Sequence, residues 1–257
     1  MTDPVAFLAA APEQTGLFCD FDGTLTPIVD DPAASRLDPR ARSLLTGLAQ
    51  HLGLLAIVSG RPAAFLGARV SVPGARLLGV YGLEQWLDGR AVVRPEAARW
   101  RAAVRDACRQ LPDLVAQVEG VAVEDKGLSV AVHWRNAADR RAAEQAVTQA
   151  VASVAAETGL AREPGKLVEE LRPPVDWDKG TAVRACAADA GIERVAYVGD
   201  DRGDLAAFSA VHALGGVCIA VDHGAETPDA LLEAADARVN GHDGVIELLA
   251  DLHATLA

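Results

Sequence analysis

Short apolar runs alternate with stretches of helical periodicity along this chain. Leu17-Phe18-Cys19 and Leu54-Leu55-Ala56-Ile57-Val58 are continuously apolar, and so are residues 195–198 and 217–221. Runs this short, without polar alternation, predict strands buried on both faces. Residues 76–81 predict a further strand, and Val239 ends a short one. Between the strands, residues 38–51 place Leu44, Leu45 and Leu48 on one helical face, with Pro39 suited to the first turn. Pro62 can open the next helix. Residues 179–190, stopped by Gly191, then 204–214 and 244–256 predict three more. Buried strands alternating with helices form a parallel sheet with helices on both faces.

The middle of the chain follows another pattern. Residues 121–124 and 128–133 predict two strands of a hairpin turning at Lys126-Gly127, and residues 167–171 a third strand. Helices are expected at about 96–110 and 137–157. This is an α+β pattern set between two halves of a parallel sheet. The expected fold is therefore α/β: a Rossmann-like parallel-sheet core formed by residues 1–84 and 173–257, and an inserted α+β cap formed by residues 85–172.

Composition narrows the function. Half of the 257 residues are hydrophobic, enough for a sizeable core. The 24 Lys and Arg against 36 Asp and Glu give a net charge of −12, and no basic stripe appears, which argues against nucleic acid as a partner. An anionic substrate must then be attracted by local groups rather than by the whole field. Residues 1–11 carry no basic region ahead of an apolar stretch, so no signal peptide is expected. No apolar run approaches the ~18 residues of a membrane span. Cys19, Cys108, Cys186 and Cys218 lack metal-ligand spacing and are expected to be reduced. A cytoplasmic, monomeric protein without a membrane partner is expected.

In open parallel sheets, ligands bind beyond the carboxyl ends of the strands. Three predicted strands run directly into polar residues there: Cys19 into Asp20, Val58 into Ser59, and Val198 into Gly199-Asp200. Asp20 and Asp22 share strand parity, and Gly23 permits a turn whose N–H groups can cradle a phosphate. Asp200, Asp201 and Asp204 add further carboxylates to the same edge. So much negative charge calls for a hard divalent cation, and magnesium prefers oxygen ligands. Lys179 lies in the first turn of a helix, where a cation opposes the helix dipole unless an anion is near.

In the cap, Glu124 and Lys126 share strand parity, as do His133 and Arg135, and Glu170 and Arg172. Acids and bases on one face suit a polyhydroxylated sugar, because carboxylates accept from hydroxyls while Lys and Arg donate to them.

The run Asp20-Phe21-Asp22-Gly23-Thr24-Leu25 resembles the first motif of the haloacid-dehalogenase-like phosphatases. Ser59-Gly60-Arg61 resembles their second, Lys179 their third, and Gly199-Asp200-Asp201…Asp204 their fourth. The resemblance implies that Asp20 is a nucleophile forming an aspartyl-phosphate, and that Asp22 is its acid and base. It implies Mg2+ held by Asp20, the Asp22 carbonyl and Asp200, with Ser59 and Lys179 on the phosphate. Asp201 and Asp204 would stand behind that set, holding water or neighbouring groups.

Glu124-Asp125-Lys126-Gly127…His133-Trp134-Arg135 and Gly165-Lys166…Glu170-Leu171-Arg172-Pro173 are similar to the trehalose-6-phosphate phosphatases, as is Tyr81-Gly82-Leu83-Glu84. That implies hydrolysis of trehalose 6-phosphate, with Arg61, Glu124, Lys126, His133, Arg135, Lys166 and Glu170 on the sugar phosphate. Gly203 and Leu205 depart from the family's fourth motif, where a hydroxyl and an acid are usual. Phosphatases for other sugar phosphates (sucrose phosphate, glucosylglycerol phosphate, mannosyl-phosphoglycerate) and a non-catalytic sugar-phosphate-binding protein remain alternatives.

Overall fold

The computed structural model describes residues 3–29, 34–165 and 167–257. The chain begins with α1 (Pro4–Ala9), β1 (Thr15–Cys19), α2 (Pro39–Leu48), β2 (Leu54–Val58), α3 (Ala63–Arg69), β3 (Arg76–Gly79), β4 (Glu84–Leu87) and β5 (Arg90–Val93). It continues through α4 (Pro95–Ala98), α5 (Arg101–Val115), β6 (Ala122–Asp125), β7 (Val130–His133), α6 (Arg140–Thr158), β8 (Ala161–Gly165) and β9 (Val168–Arg172). It closes with α7 (Lys179–Ala190), β10 (Arg194–Gly199), α8 (Leu205–Ala213), β11 (Val217–Asp222), α9 (Asp229–Ala234), β12 (Ala237–Asn240) and α10 (Gly241–Leu256). Two compact units result: Met1–Val92 with Trp177–Ala257, and Val93–Asp176.

The first unit holds an eight-stranded sheet in the order β12-β11-β10-β1-β2-β3-β4-β5. From β12 to β3 all neighbours are parallel, and β4 pairs with β3 antiparallel. Side chains of β1 alternate between two cores, as the two-residue strand period requires. Leu17 and Cys19 pack with α1, α2, α3 and α10, whereas Phe18 packs with α7, α8 and α9. Every residue of β1 and β2 is buried, which is why those strands read as unbroken apolar runs. Helix α7 ends where Gly191 turns left-handed at φ 65°, a conformation glycine adopts without a Cβ clash.

The register sets the edge that matters. Cys19 pairs with Val198 on one side and with Ile57 on the other. The carboxyl ends of β10, β1 and β2 therefore lie side by side.

The second unit is an antiparallel sheet in the order β6-β7-β9-β8. Val130, Val132, Trp134 and Leu171 face Val104, Leu111, Val147 and Val151 of α5 and α6 in its core. The opposite face is polar.

Both borders of the insertion fall elsewhere than the sequence suggests. Residues 85–92, assigned from the sequence to the insertion, extend the large sheet as β4 and β5. Their turn is Asp88-Gly89, with φ 49° and 77°, the pair of left-handed residues that a tight hairpin needs. The return to the first unit falls at Trp177 rather than Pro173. Helices α1 and α9 and the edge strand β8 were not anticipated. Among the described residues, no helix is long and apolar enough to cross a membrane.

Candidate active site

Asp20 is the first residue beyond β1, and its N–H donates to the Val198 carbonyl of β10 at 2.9 Å. The ladder thus fixes its backbone before its side chain is considered. Lys179 opens α7, whose N-terminus Asp178 caps by accepting from Thr181 N–H at 2.7 Å. Its ammonium donates to Asp20 Oδ1 at 2.8 Å and to Asp204 Oδ1 at 2.7 Å. Lys179 is 3 % exposed and Asp204 wholly buried.

Asp204 is fully saturated. Its Oδ1 also accepts from the Tyr197 hydroxyl at 2.7 Å, and its Oδ2 accepts the backbone N–H groups of Asp200 and Asp201 at 3.1 Å each. Those four donors occupy the acceptor positions of one carboxylate. Burial alone would raise its pKa, but Lys179 and the hydrogen bonds hold it below the ordinary value. Asp204 therefore anchors Lys179 and the Asp200-Asp201 turn, and has no lone pair left for an ion.

Asp20 and Asp200 are in the opposite condition. Burial, with the neighbouring carboxylates adding and Lys179 opposing, raises Asp20 well above its usual range. Burial followed by Asp204 and Asp201 pushes Asp200 up to about 7. Carboxylate oxygens of Asp20, Asp200 and Asp204 all lie within 4.8 Å of one another. Because Asp204 is taken by its four donors, Asp20 and Asp200 are the oxygens open to a cation. An all-oxygen set with excess negative charge fits a hard divalent ion such as Mg2+.

Gly23 completes that wall. It has φ 77°, and a Cβ there would stand 2.2 Å from Asp200 Oδ2. The Thr24 hydroxyl donates to Asp200 Oδ1 at 3.2 Å. His223 Nε2 donates to the Gly23 carbonyl at 2.7 Å, and His242 Nδ1 donates to the Thr24 carbonyl at 3.0 Å. Two histidines from distant elements thus pin the loop. A pocket of about 390 Å³ adjoins it, lined by Asp22, Arg61, Asp200, Asp201, His223 and their neighbours.

Ser59 is 2 % exposed. Its N–H donates to the Leu78 carbonyl, and its Oγ accepts from the Arg61 N–H at 3.1 Å. Asp22 lines the same pocket as Asp200 and Asp201. Its carboxylate takes Arg61 Nε at 2.8 Å, Arg61 Nη2 at 3.0 Å and Ser35 Oγ at 2.7 Å. Arg61, expected on the substrate, forks onto Asp22 through Nε and Nη2. Asp201 is exposed, its Oδ1 accepting from Gly203 N–H at 2.8 Å and lying 4.0 Å from Lys179.

In the second unit, register places Glu124, Ala131, Glu170 and Glu163 in one row across the sheet. On that face Lys126 donates to Glu170 at 2.8 Å, and His133 pairs with Glu124 at 2.9 Å. Glu170 Oε1 is buried without a hydrogen-bond partner among the described residues. Arg135 is exposed. Lys166 lies outside the described residues.

Tyr197, Thr24, Ser35, His223 and His242 were missed from sequence. Only Tyr197 carried a usable signal, since a tyrosine in a fully buried strand needs a partner for its hydroxyl.

The fold has solved counterparts. A trehalose-6-phosphate phosphatase related protein superposes with a TM-score of 0.78 at 24% identity, covering 93% of this chain and 97% of that one. A haloacid dehalogenase-like hydrolase from Bacteroides thetaiotaomicron does so with a TM-score of 0.60 at 16% identity, covering 92% and 98%. The architecture is that of the haloacid-dehalogenase-like hydrolases. Residues 18–234 match the trehalose-phosphatase family, and the chain belongs to that family. The trehalose-phosphate phosphatase of Mycobacterium avium (strain 104) is 39% identical over 215 residues, which are 80% of this chain and 54% of that protein. The chain spans about half the length of the curated relatives it matches.

Proposed function

We propose that this chain is a magnesium-dependent phosphatase that hydrolyses trehalose 6-phosphate to trehalose and phosphate through an aspartyl-phosphate on Asp20. The observation that carries this reading is the buried Lys179 bridging Asp20 and Asp204 at the edge where β1 and β10 meet. A carboxylate held there against a cation, beside a second carboxylate with a raised pKa, suits attack on an anionic phosphorus. Family membership points the same way, and the named relatives support trehalose 6-phosphate as the substrate.

Asp20 would attack phosphorus while the bond to the sugar oxygen breaks and Asp22 protonates that oxygen. Water would then attack the aspartyl-phosphate, its proton passing to Asp22, and Asp20 would be regenerated. Lys179, already at Asp20, would balance charge developing on the phosphoryl oxygens. Ser59 and the Gly23 turn would hold those oxygens. Mg2+, held by Asp20 and Asp200 with the Asp22 carbonyl, would offset repulsion between the nucleophile and the phosphate.

Sugar selection would fall to the polar sheet face bearing Glu124, Lys126, His133 and Glu170, with Arg135 and Lys166. The unpartnered Glu170 Oε1 supports this, because a buried acceptor without a donor is costly and a sugar hydroxyl supplies one.

The test is phosphate release from trehalose 6-phosphate, sucrose 6-phosphate, glucosylglycerol phosphate and mannosyl-phosphoglycerate, with and without Mg2+. Release from the first, lost in Asp20→Asn at unchanged melting temperature, is expected. Preference for another sugar would displace the substrate assignment alone. Release from none would leave a sugar-phosphate-binding protein.

A further inference from the structure

Arg61 forks onto Asp22 through two nitrogens. Nε meets Oδ2 at 2.8 Å and Nη2 meets Oδ1 at 3.0 Å, the side-on geometry in which a guanidinium matches an ionised carboxylate. Ser35 Oγ donates to the same Oδ1 at 2.7 Å. Both clamps are themselves braced. Ser35 is 1 % exposed and shares a 3.1 Å hydrogen bond with Thr26 Oγ1. The Arg61 guanidinium carbon lies 4.8 Å from the centroid of the Phe65 ring, which packs edge-on against Phe21, the residue between the two acids.

A carboxylate has about four acceptor positions, two on each oxygen. Oδ1 gives both of its positions to Arg61 and Ser35, and Oδ2 gives one to Arg61. Among the described residues one position remains, on Oδ2. A base needs such an open, fixed lone pair within hydrogen-bond reach of the proton it takes.

We propose, resting on the aspartyl-phosphate reading above, that Arg61 and Ser35 are positioning residues that hold Asp22 as the base of the second half-reaction, with Oδ2 as the proton-accepting atom. In that step a water O–H bond breaks and its proton goes to Oδ2. The water oxygen bonds to phosphorus, the Asp20–phosphorus bond breaks, and inorganic phosphate leaves. Arg61 acts through Asp22 and does not bind the sugar phosphate.

The experiment is rapid-mixing kinetics with p-nitrophenyl phosphate and Mg2+. Its good leaving group makes the first half-reaction independent of an acid. In Arg61→Met, a burst of one p-nitrophenolate per enzyme should precede a steady state slowed by ~10–100-fold, the scale of a compromised general base. KM should not rise. Ser35→Ala should show the same burst with a smaller slowing, and Ser35→Thr should restore turnover.

A higher KM at unchanged kcat would place Arg61 on the substrate and overturn the proposal. Slowing of burst and steady state by the same factor, or in step with a fall in melting temperature, would make both residues structural and overturn it as well. Wild-type protein that releases neither p-nitrophenolate nor phosphate would instead remove the phosphatase reading, and this proposal with it.

Discussion

The Lys179 ammonium stands 2.7 Å from the Asp204 carboxylate, and both side chains are shut away from water. A buried pair of this kind adds little net stability over an apolar pair, yet losing one partner strands the other charge. Lys179→Met would leave Asp204 and Asp20 without their shared cation. Chemical denaturation should show a loss of about 3–5 kcal/mol, the scale for breaking a buried pair, together with loss of phosphate release. Unchanged stability would mean that the pair is not closed in solution.

Tyr197 is the silent member of that network. Its hydroxyl donates to the oxygen of Asp204 that Lys179 also uses. Tyr197→Phe should cost about 1–3 kcal/mol for an acceptor left short of a donor, measured by denaturant unfolding. Activity should fall by less than ~10-fold, since Lys179 keeps its contact with Asp20 and hydrogen-bond networks compensate in part. A larger loss of activity than of stability would show that Tyr197 governs the position of Lys179 directly.

The parts of the site legible in the sequence were those that follow buried strands. Cys19-Asp20, Val58-Ser59 and Val198-Gly199-Asp200 mark the carboxyl ends of β1, β2 and β10, and strands covered on both faces leave continuous apolar runs. The partnership of Arg61 was not legible. An arginine after Ser59-Gly60 reads as a phosphate or substrate contact, and nothing local shows that Asp22 lies within reach across two loops. Ser35, His223 and His242 act through a carboxylate or carbonyl distant in sequence, so no spacing announces them. The β4–β5 hairpin was different: Asp88-Gly89 between alternating residues is a local turn signal, present and passed over. Helix α9 is too short to show periodicity.

Gly23 is where backbone conformation and chemistry meet. Its φ of 77° strains any side chain, and a Cβ would stand 2.2 Å from Asp200 Oδ2. Gly23→Ala must therefore either move Asp200 or unwind the loop. Calorimetric titration should show Mg2+ binding weakened by at least ~10-fold, the ratio that corresponds to about 1.4 kcal/mol. The cost to overall stability should be confined to the ~1–2 kcal/mol of a left-handed residue with a side chain. Unaltered Mg2+ binding would show that Asp200 is not among its ligands.

The raised Asp200 makes metal binding and pH dependence two views of one quantity. Without a cation its pKa is about 7, against an ordinary 3.8, with burial the first cause and the Asp204 and Asp201 charges next. A carboxyl whose folded pKa is raised holds its proton longer in the native state than in the unfolded chain. The native state then binds more protons across the window from about 4 to about 7, so stability falls as pH rises through it. Mg2+ competes for the same oxygens and binds the ionised form. Melting temperature measured in chelator should therefore decline from pH 5 to pH 7.5, while an excess of Mg2+ should flatten that decline. The stabilisation by Mg2+, at fixed ion concentration, should be largest near neutral pH and should shrink towards pH 4, where protons occupy the site. Asp200→Asn should abolish most of the response to Mg2+ and reduce the pH dependence, leaving the part that the raised Asp20 contributes in the same direction. If stabilisation by Mg2+ is the same at pH 5 and pH 7.5, the ion does not draw on a carboxylate with a raised pKa, and Asp200 is not the group that holds it.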